Sequence, residues 1–338
     1  MSRIEAVLRQ LSKQRVPREV AWEILLIDNA STDGTGTVTT DLWRHLGAPA
    51  PMRVVLEPNI GLSNARIRAL KEALFETITL VDDDNLICSD WVATCAEVMR
   101  SEPSVGAVGG RSRLPVDARP PQWFSKLGYL YAVKDFGPEG GDVTETRPLL
   151  WGAGLTVRTR AWSSLYEIGF RPMLSDRKGT ALGSGGDSEL CLALRRAGWR
   201  LRYEPRLQFE HAIPAARFEW TYFRRLARGS GRATPALDAF YPAYQAPPGC
   251  RRSLRRWWGY QALRAVFQGL KQGPAFLFPG LLREGDPAVA TLEALRGRLS
   301  ELLTLRREYG RRFSELDACR WGVSGALAEK DARAESPD

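Results

Sequence analysis

The chain has 338 residues, of which 44% are hydrophobic and 26% charged, and it carries a formal net charge of +9. That length predicts one large domain with an appendage, or two domains. No run approaches the roughly 20 apolar residues that a membrane-spanning helix needs, so a bundle of such helices is excluded. Five scattered cysteines without a CxxC pair predict free thiols in a reducing cytoplasm and no structural zinc site. With only His45 and His211 present, a histidine network has little to work with. The positive charge favours an anionic partner, a nucleotide phosphate or a phospholipid surface. Nucleic acid is the weakest candidate, because charge alone speaks for it.

Taken in order, "SRIEAVLRQLSKQ" places Ile4, Val7, Leu8 and Leu11 at helical spacing and does not read as a signal peptide. "WEILLIDNAS" gives a buried strand that ends in a polar loop, and "MRVVLEPN" (52–59) a second strand. Residues 61–76 predict a helix with Ser63 at its cap, and "TITLVDDDN" a third strand. A helix over 89–103, capped by Ser89 or Asp90, leads to a glycine-rich strand over 105–114. Residues 115–150 are rich in loops. "LLWGAGLTVRTRAWSSL" returns to strand and helix, and a Gly-rich loop precedes a helix at 187–197 and a strand at 200–204. Strands alternating with helices predict an α/β fold with a mostly parallel sheet. In such sheets ligands sit beyond the carboxyl ends of the strands, where the acidic turns 28–33 and 82–85 both fall.

Clustered carboxylates such as Asp82, Asp83 and Asp84 cost free energy unless a cation neutralises them. Mg²⁺ and Mn²⁺ take hard oxygen ligands, commonly one or two carboxylates together with substrate phosphates. Strand alternation would turn Asp82 and Asp84 to one side and Asp83 away. A solvated turn opening a helix is the competing reading.

"EILLIDNASTDGT", "PNIGLSNARIRAL", "ITLVDDDN", "WGAGLTVR" and "GSGGDSELCLALRRAGWRLRYEP" occur in the order and approximate spacing of family 2 glycosyltransferases with the GT-A fold. The chain resembles that family from about residue 22 to 214. The resemblance implies an inverting transferase that moves a sugar from a nucleotide-diphosphate sugar, UDP being the common nucleotide, to a hydroxyl of a cell-surface glycan or lipid-linked precursor. Asp28, Asn29 and Ser31 then match the loop that contacts the donor's base and ribose, and Arg66 a position facing the nucleotide. A strand-ending Asx turn and a solvated helix residue are the plain alternatives. Asp82 and Asp84 match the DxD motif, with Asp84 the metal ligand, Asp82 nearer the ribose and Asp83 behind them or facing solvent. The implied cofactor is Mn²⁺ or Mg²⁺. In "GGDSE", Gly186 stands where the family usually has Glu, and Asp187 keeps the position of the base. A carboxylate suits the removal of the acceptor's proton, while Asp187 would also serve as a helix N-cap. His211 matches a histidine beside the metal or diphosphate, with a structural role as the alternative. Trp151, Gly152 and Gly154 match the acceptor-side segment, where the indole could stack on a sugar or simply fill core.

The family's usual opening strand, of the type "VSVIIPTYN", has no counterpart before "SRIEAVLRQLSKQ". A truncated start is therefore expected for a catalytic domain at 1–216, followed by a basic helical extension at 217–327 and a disordered tail at 328–338. From Arg217 to Lys271 there are eleven Lys/Arg against Glu219 and Asp238. Within 251–282, arginines beside Trp257 and Trp258, followed by Leu263, Val266, Phe267 and Leu270, suit peripheral contact with an anionic membrane at the inner face of the cell membrane. Packing of that stripe on the catalytic domain is the competing reading. Leu292, Leu295, Leu299 and Leu302, within 289–313, predict pairing with that helix or with another chain. Two rival functions remain from the residues themselves: a catalytically silent glycan- or membrane-binding relative, and a nucleotidyltransferase, which would ordinarily show a basic Gly-rich loop that "DNASTDGTGT" lacks.

Overall fold

A computed structural model describes residues 3–147, 149–177, 182–242, 254–276, 278 and 282–321. The expected tail at 328–338 and the start of the basic stretch at 251–253 lie outside the described residues. In chain order the elements are α1 (Arg3–Leu11), β1 (Ile24–Asp28), α2 (Thr35–His45), β2 (Met52–Leu56), α3 (Leu62–Glu72), β3 (Thr77–Thr79), β4 (Asn85–Ile87), α4 (Trp91–Ser101) and β5 (Val105–Arg113). There follow α5 (Phe124–Leu127), β6 (Gly141–Asp142), β7 (Thr156–Arg158), α6 (Thr159–Glu167), α7 (Gly186–Arg196) and β8 (Arg200–His211). The C-terminal region is helical: α8 (Trp220–Leu237), α9 (Trp258–Lys271), α10 (Ala288–Thr304) and α11 (Tyr309–Ala318).

The sheet differs from the expected mostly parallel one. β1 and β2 pair in parallel as a separate two-stranded sheet. The larger sheet runs β3-β7-β5-β8-β4, with β6 on β8, and its only parallel pairing among the described strands is β5 with β8. The chain re-enters between β3 and β5 as the short antiparallel strand β7, which accounts for the mixed character. β8 is also longer than the sequence suggested. Its far half carries β4 at Asn85↔His211, and that pairing brings the aspartate turn next to the histidine. Between β1 and β3, where no strand bridges the two sheets, lies a slot of about 420 Å³ lined by Ile24, Leu26, Ile78, Leu80, Trp91 and Cys95 among others.

The core is continuous across the expected boundary at 216. Trp199, just before β8, and Leu201 and Tyr203 of β8 share one buried cluster with Leu302 of α10 and Tyr309 and Phe313 of α11. Trp123 and Phe124 share another with Phe223 and Leu226 of α8. Burial of aromatic side chains on this scale, at about 25 cal/mol per Å², ties the helical region to the α/β unit. α8 and α10 cross at very short range: a Cβ on Gly231 would lie 2.0 Å from the Ala294 carbonyl, and one on Gly297 2.0 Å from that of Arg228. The leucine stripe of α10 packs within the chain, Leu292 against Ala275 and Phe276 with Leu295 and Leu299 beside them. The stripe on α9 does not: Leu263, Phe267 and Leu270 are all exposed. Among the described residues no helix is long and apolar enough to cross a membrane.

Candidate active site

The aspartate turn follows β3 directly. Asp84 is buried at 5% exposure, and its Oδ1 lies 3.6 Å from Nε2 of His211, itself 8% exposed. His211 Nδ1 sits 2.8 Å from the Tyr131 carbonyl. A carbonyl only accepts, so Nδ1 carries a hydrogen and Nε2 is the ring atom that faces Asp84. Arg217, in the short turn after β8, donates from Nη1 to Asp84 Oδ2 at 3.1 Å. Arg3 of α1 pairs with Asp83 at 2.9 Å and approaches Asp84 at 4.0 Å. Burial raises the pKa of Asp84, but hydrogen bonding to His211 and the charges of His211 and Arg217 outweigh it, holding the carboxyl down at about 2. Asp82 has no such direct partner, and burial pushes its pKa up despite the nearby Arg66. Asp83 is half exposed, as alternation predicts.

The second group gathers around Asp187. α7 begins after Gly185, whose φ of +103° suits glycine, so Asp187 lies inside the first turn rather than at the N-cap. Its Oδ2 accepts from Gly152 N–H at 2.9 Å and its Oδ1 from Ser188 N–H at 2.7 Å. A Cβ on Gly152 would lie 3.0 Å from both Arg66 Nη2 and the Asp187 Cβ, so this glycine lets the three groups meet. Arg66 donates to Asp176 at 2.7 Å, with both side chains buried, and Asp176 Oδ1 accepts from Gly186 N–H at 2.8 Å.

Asp176, Arg217 and Arg3 were not singled out in the sequence. The space beside Gly186 is filled by Asp176, since a Cβ on Gly186 would lie 2.4 Å from its carboxylate. A carboxylate from the segment that leads into α7 thus occupies the room a side chain at 186 would take. Ser63, expected as a helix cap, instead accepts from Asp176 N–H at 3.0 Å; the α3 N-cap residue is Gly61. Asp90 likewise forms no cap bond and pairs with Arg15.

The expected donor loop is spent largely on itself. Asp28 accepts from Ser31 N–H, and the Asn29 amide ties the carbonyls of Glu57 and Asn59 and the N–H of Gly61. Trp151 stacks on Phe136 at 5.8 Å, and its buried Nε1 has no partner among the described residues. Gly154, with φ +70°, faces the core: a Cβ there would lie 2.7 Å from Trp91, which explains the glycine without a sugar. Among the described residues His45 bonds to the Asp41 carbonyl of its own helix.

Residues 2–150 match the family model described as glycosyl transferase family 2. That stretch is somewhat less than half of the chain. The family 2 segment thus includes the aspartate turn, while Asp187 and His211 lie beyond it. Over 189 residues the chain is 23% identical to the glucosyl-dolichyl phosphate glucuronosyltransferase of Haloferax volcanii, covering 55% of this chain and 58% of that one. Against the succinoglycan biosynthesis protein ExoM of Rhizobium meliloti it is 23% identical over 313 residues, covering 90% of this chain and 91% of the relative. Among solved structures it is similar to the mannosyltransferase PcManGT of Pyrobaculum calidifontis in complex with GDP-Man and Mn²⁺. That match has a TM-score of 0.52 at 19% identity and covers 89% of this chain and 83% of the other. The fold is that of the GT-A glycosyltransferases, here with an α-helical C-terminal region.

No group of three His, Cys, Asp or Glu side chains converges as a metal cage among the described residues. The facing oxygen and nitrogen of Asp84 and His211, with His211 oriented through Nδ1, fit an ion that draws its remaining ligands from a substrate.

Proposed function

We propose that this family 2 protein is an inverting glycosyltransferase. It moves a sugar from a nucleoside-diphosphate sugar, with UDP the first nucleotide to test, onto a hydroxyl of a glycan or lipid-linked acceptor. The observation that carries this reading is the pairing of two unlike carboxylate sites at one crevice. Asp84 is held among His211, Arg217 and Arg3, and Asp187 is held by backbone N–H groups beside Arg66. Asp82 connects the two, feeling both Arg66 and His211.

On this reading Asp84 and His211 hold a divalent ion, Mn²⁺ or Mg²⁺, which when bound supplies positive charge at the diphosphate. Arg217 adds a permanent cation on the same side, suited to the charge that grows on the leaving nucleotide. The turn at Asp28 and Ser31, with Arg66 and Asp82, borders the nucleoside. Asp187 Oδ2 and Oδ1 are oriented by Gly152 and Ser188 and take the proton from the acceptor hydroxyl as it attacks the anomeric carbon. The loss of the nucleotide from the opposite face inverts that carbon. Trp151 and Gly152 border the acceptor, and Gly186 carries the Asp176 contact that shapes the loop.

Calorimetric titration of UDP and GDP with and without Mn²⁺ tests the donor half. Binding should require the metal and weaken at least tenfold in Asp84→Ala, the loss of one charge-assisted contact being worth about that much. Equal binding by wild type and variant would leave the aspartate turn without a role in the donor site.

Work at a cytoplasmic membrane face is the second part of the proposal. Leu263, Phe267 and Leu270 form an exposed stripe on α9, Trp257 is 55% exposed, and Lys271 lies over Phe267 at 5.0 Å. An apolar stripe with basic neighbours matches an anionic lipid surface. Sedimentation with phosphatidylglycerol vesicles should fall severalfold in Leu263→Glu/Phe267→Glu. Unchanged sedimentation would remove α9 from any membrane contact.

A further inference from the structure

A cavity of about 640 Å³ lies between the loop that leads into α7 and one face of α8. Met173, Leu174 and Asp176 line it from one side and Leu182, Gly183 and Ser184 from another, so it adjoins the Asp187 loop. It shares no lining residue with the aspartate turn at 82–84. Arg225, Arg228 and Arg232 of α8 and Arg312 of α11 contribute four guanidinium groups; Glu301 and Asp176 contribute the carboxylates.

The charges do not cancel. Asp176 is already paired with Arg66, and Arg228 is paired with the buried Glu293, which Arg224 and Arg296 also contact. Arg225 and Arg232 have no ion pair among the described residues, and Arg312 Nη1 is buried with no hydrogen-bond partner among them. Three guanidinium groups therefore face the carboxylate of Glu301 and, at Arg312, that of the buried Glu189, which feels the Arg312 charge. Arg225, Gly229 and Arg232 fall at i, i+4 and i+7, on one face of the helix. Gly229 between them lets the loop backbone close in, since a Cβ there would lie 2.3 Å from the Leu182 carbonyl. The two arginines consequently flank the loop instead of being pushed away by it. Forked, fixed cations beside an uncompensated buried N–H match the tetrahedral oxygens of a phosphate.

We propose that this cavity binds a phosphate or diphosphate group carried by the acceptor; the acceptor assignment rests on the transferase reading above, the anion site does not. The group would sit on the Asp187 side of the crevice, apart from the donor diphosphate at Asp84 and Arg217, and would hold the acceptor hydroxyl toward Asp187.

Calorimetry with inorganic pyrophosphate in the absence of divalent metal, on the full chain, tests the site. Arg225→Ala/Arg232→Ala should weaken binding at least tenfold, while UDP with Mn²⁺ keeps its affinity for the same variant. Both arginines are exposed, so a matching melting temperature is expected for the variant. Unchanged pyrophosphate affinity overturns the proposal. So does a loss confined to Arg217→Ala, which would place the anion at the aspartate turn. Farnesyl diphosphate binding more tightly than inorganic pyrophosphate, with the same arginine dependence, supports an acceptor-borne group. Equal affinities would make the site one for free phosphate and overturn the acceptor half. If UDP fails to bind wild type while the arginine-dependent pyrophosphate response persists, the anion site stands and the transferase reading falls.

Discussion

The two carboxylate sites at the crevice are built on opposite plans. Asp84 is surrounded by side chains that carry or can take positive charge: His211, Arg217 and, further off, Arg3. Asp187 is held by two backbone N–H groups, one of them its immediate neighbour's. Side-chain cations can swing aside or share their anion with an incoming ion, and so suit a carboxylate whose partner changes during turnover. Backbone donors fix direction and cannot leave, which suits a group that must aim one oxygen at a hydroxyl. The arrangement teaches that two aspartates of equal formal charge acquire different chemistry from the kind of partner that neutralises them.

The comparison breaks first at Asp187. Asp187→Asn keeps an oxygen to accept from Gly152 but removes the proposed base, so kcat should fall by about 10²–10⁴-fold with UDP affinity retained. Single-turnover sugar transfer is the measurement. A fall of less than about tenfold would assign the proton to another acceptor. A smaller effect, and one on stability, should come from Asp176, the support behind the Asp187 side. Asp176→Ala leaves Arg66 buried without its partner at 2.7 Å, and unfolding free energy should drop by about 3–5 kcal/mol. Adding Arg66→Met should restore much of that loss, because the cost lies in the stranded charge. Denaturant unfolding of the two variants decides it. Equal stability for wild type and Asp176→Ala would mean that Arg66 is neutralised by other means, such as the nearby Asp82.

The residues proposed to carry the chemistry have a local signature in the sequence, and those that support them do not. Asp82, Asp84 and Asp187 announce themselves because acids at strand ends and helix starts have a local signature. Asp176 reaches Arg66 across 110 positions and Arg217 reaches Asp84 across 133, and no periodicity reports such a meeting. The substitution at Gly186 was the one available clue: a missing side chain in a crowded loop invites another to fill the room. The helices α1, α3, α4 and α7 were read within a few residues, since amphipathic spacing survives tertiary packing. The sheet's mixed character was missed because β3, β4 and β7 span only three residues each, and short strands carry no record of direction. For α10, the leucine stripe correctly marked a buried face but left open which surface would cover it.

The slot between β1 and β3 has a mechanical consequence. Among the described residues no strand ladder crosses it, so the β1–β2 pair is joined to the larger sheet by helix packing, α1 against α2 and β4 and α3 against β1, and not by inter-strand hydrogen bonds. The turn at Asp28 moves with that pair, whereas Asp84 and Asp187 are anchored on the other side by β8 and α7. A nucleoside bound at Asp28, as proposed, would therefore span two sheets that share no inter-strand hydrogen bond among the described residues.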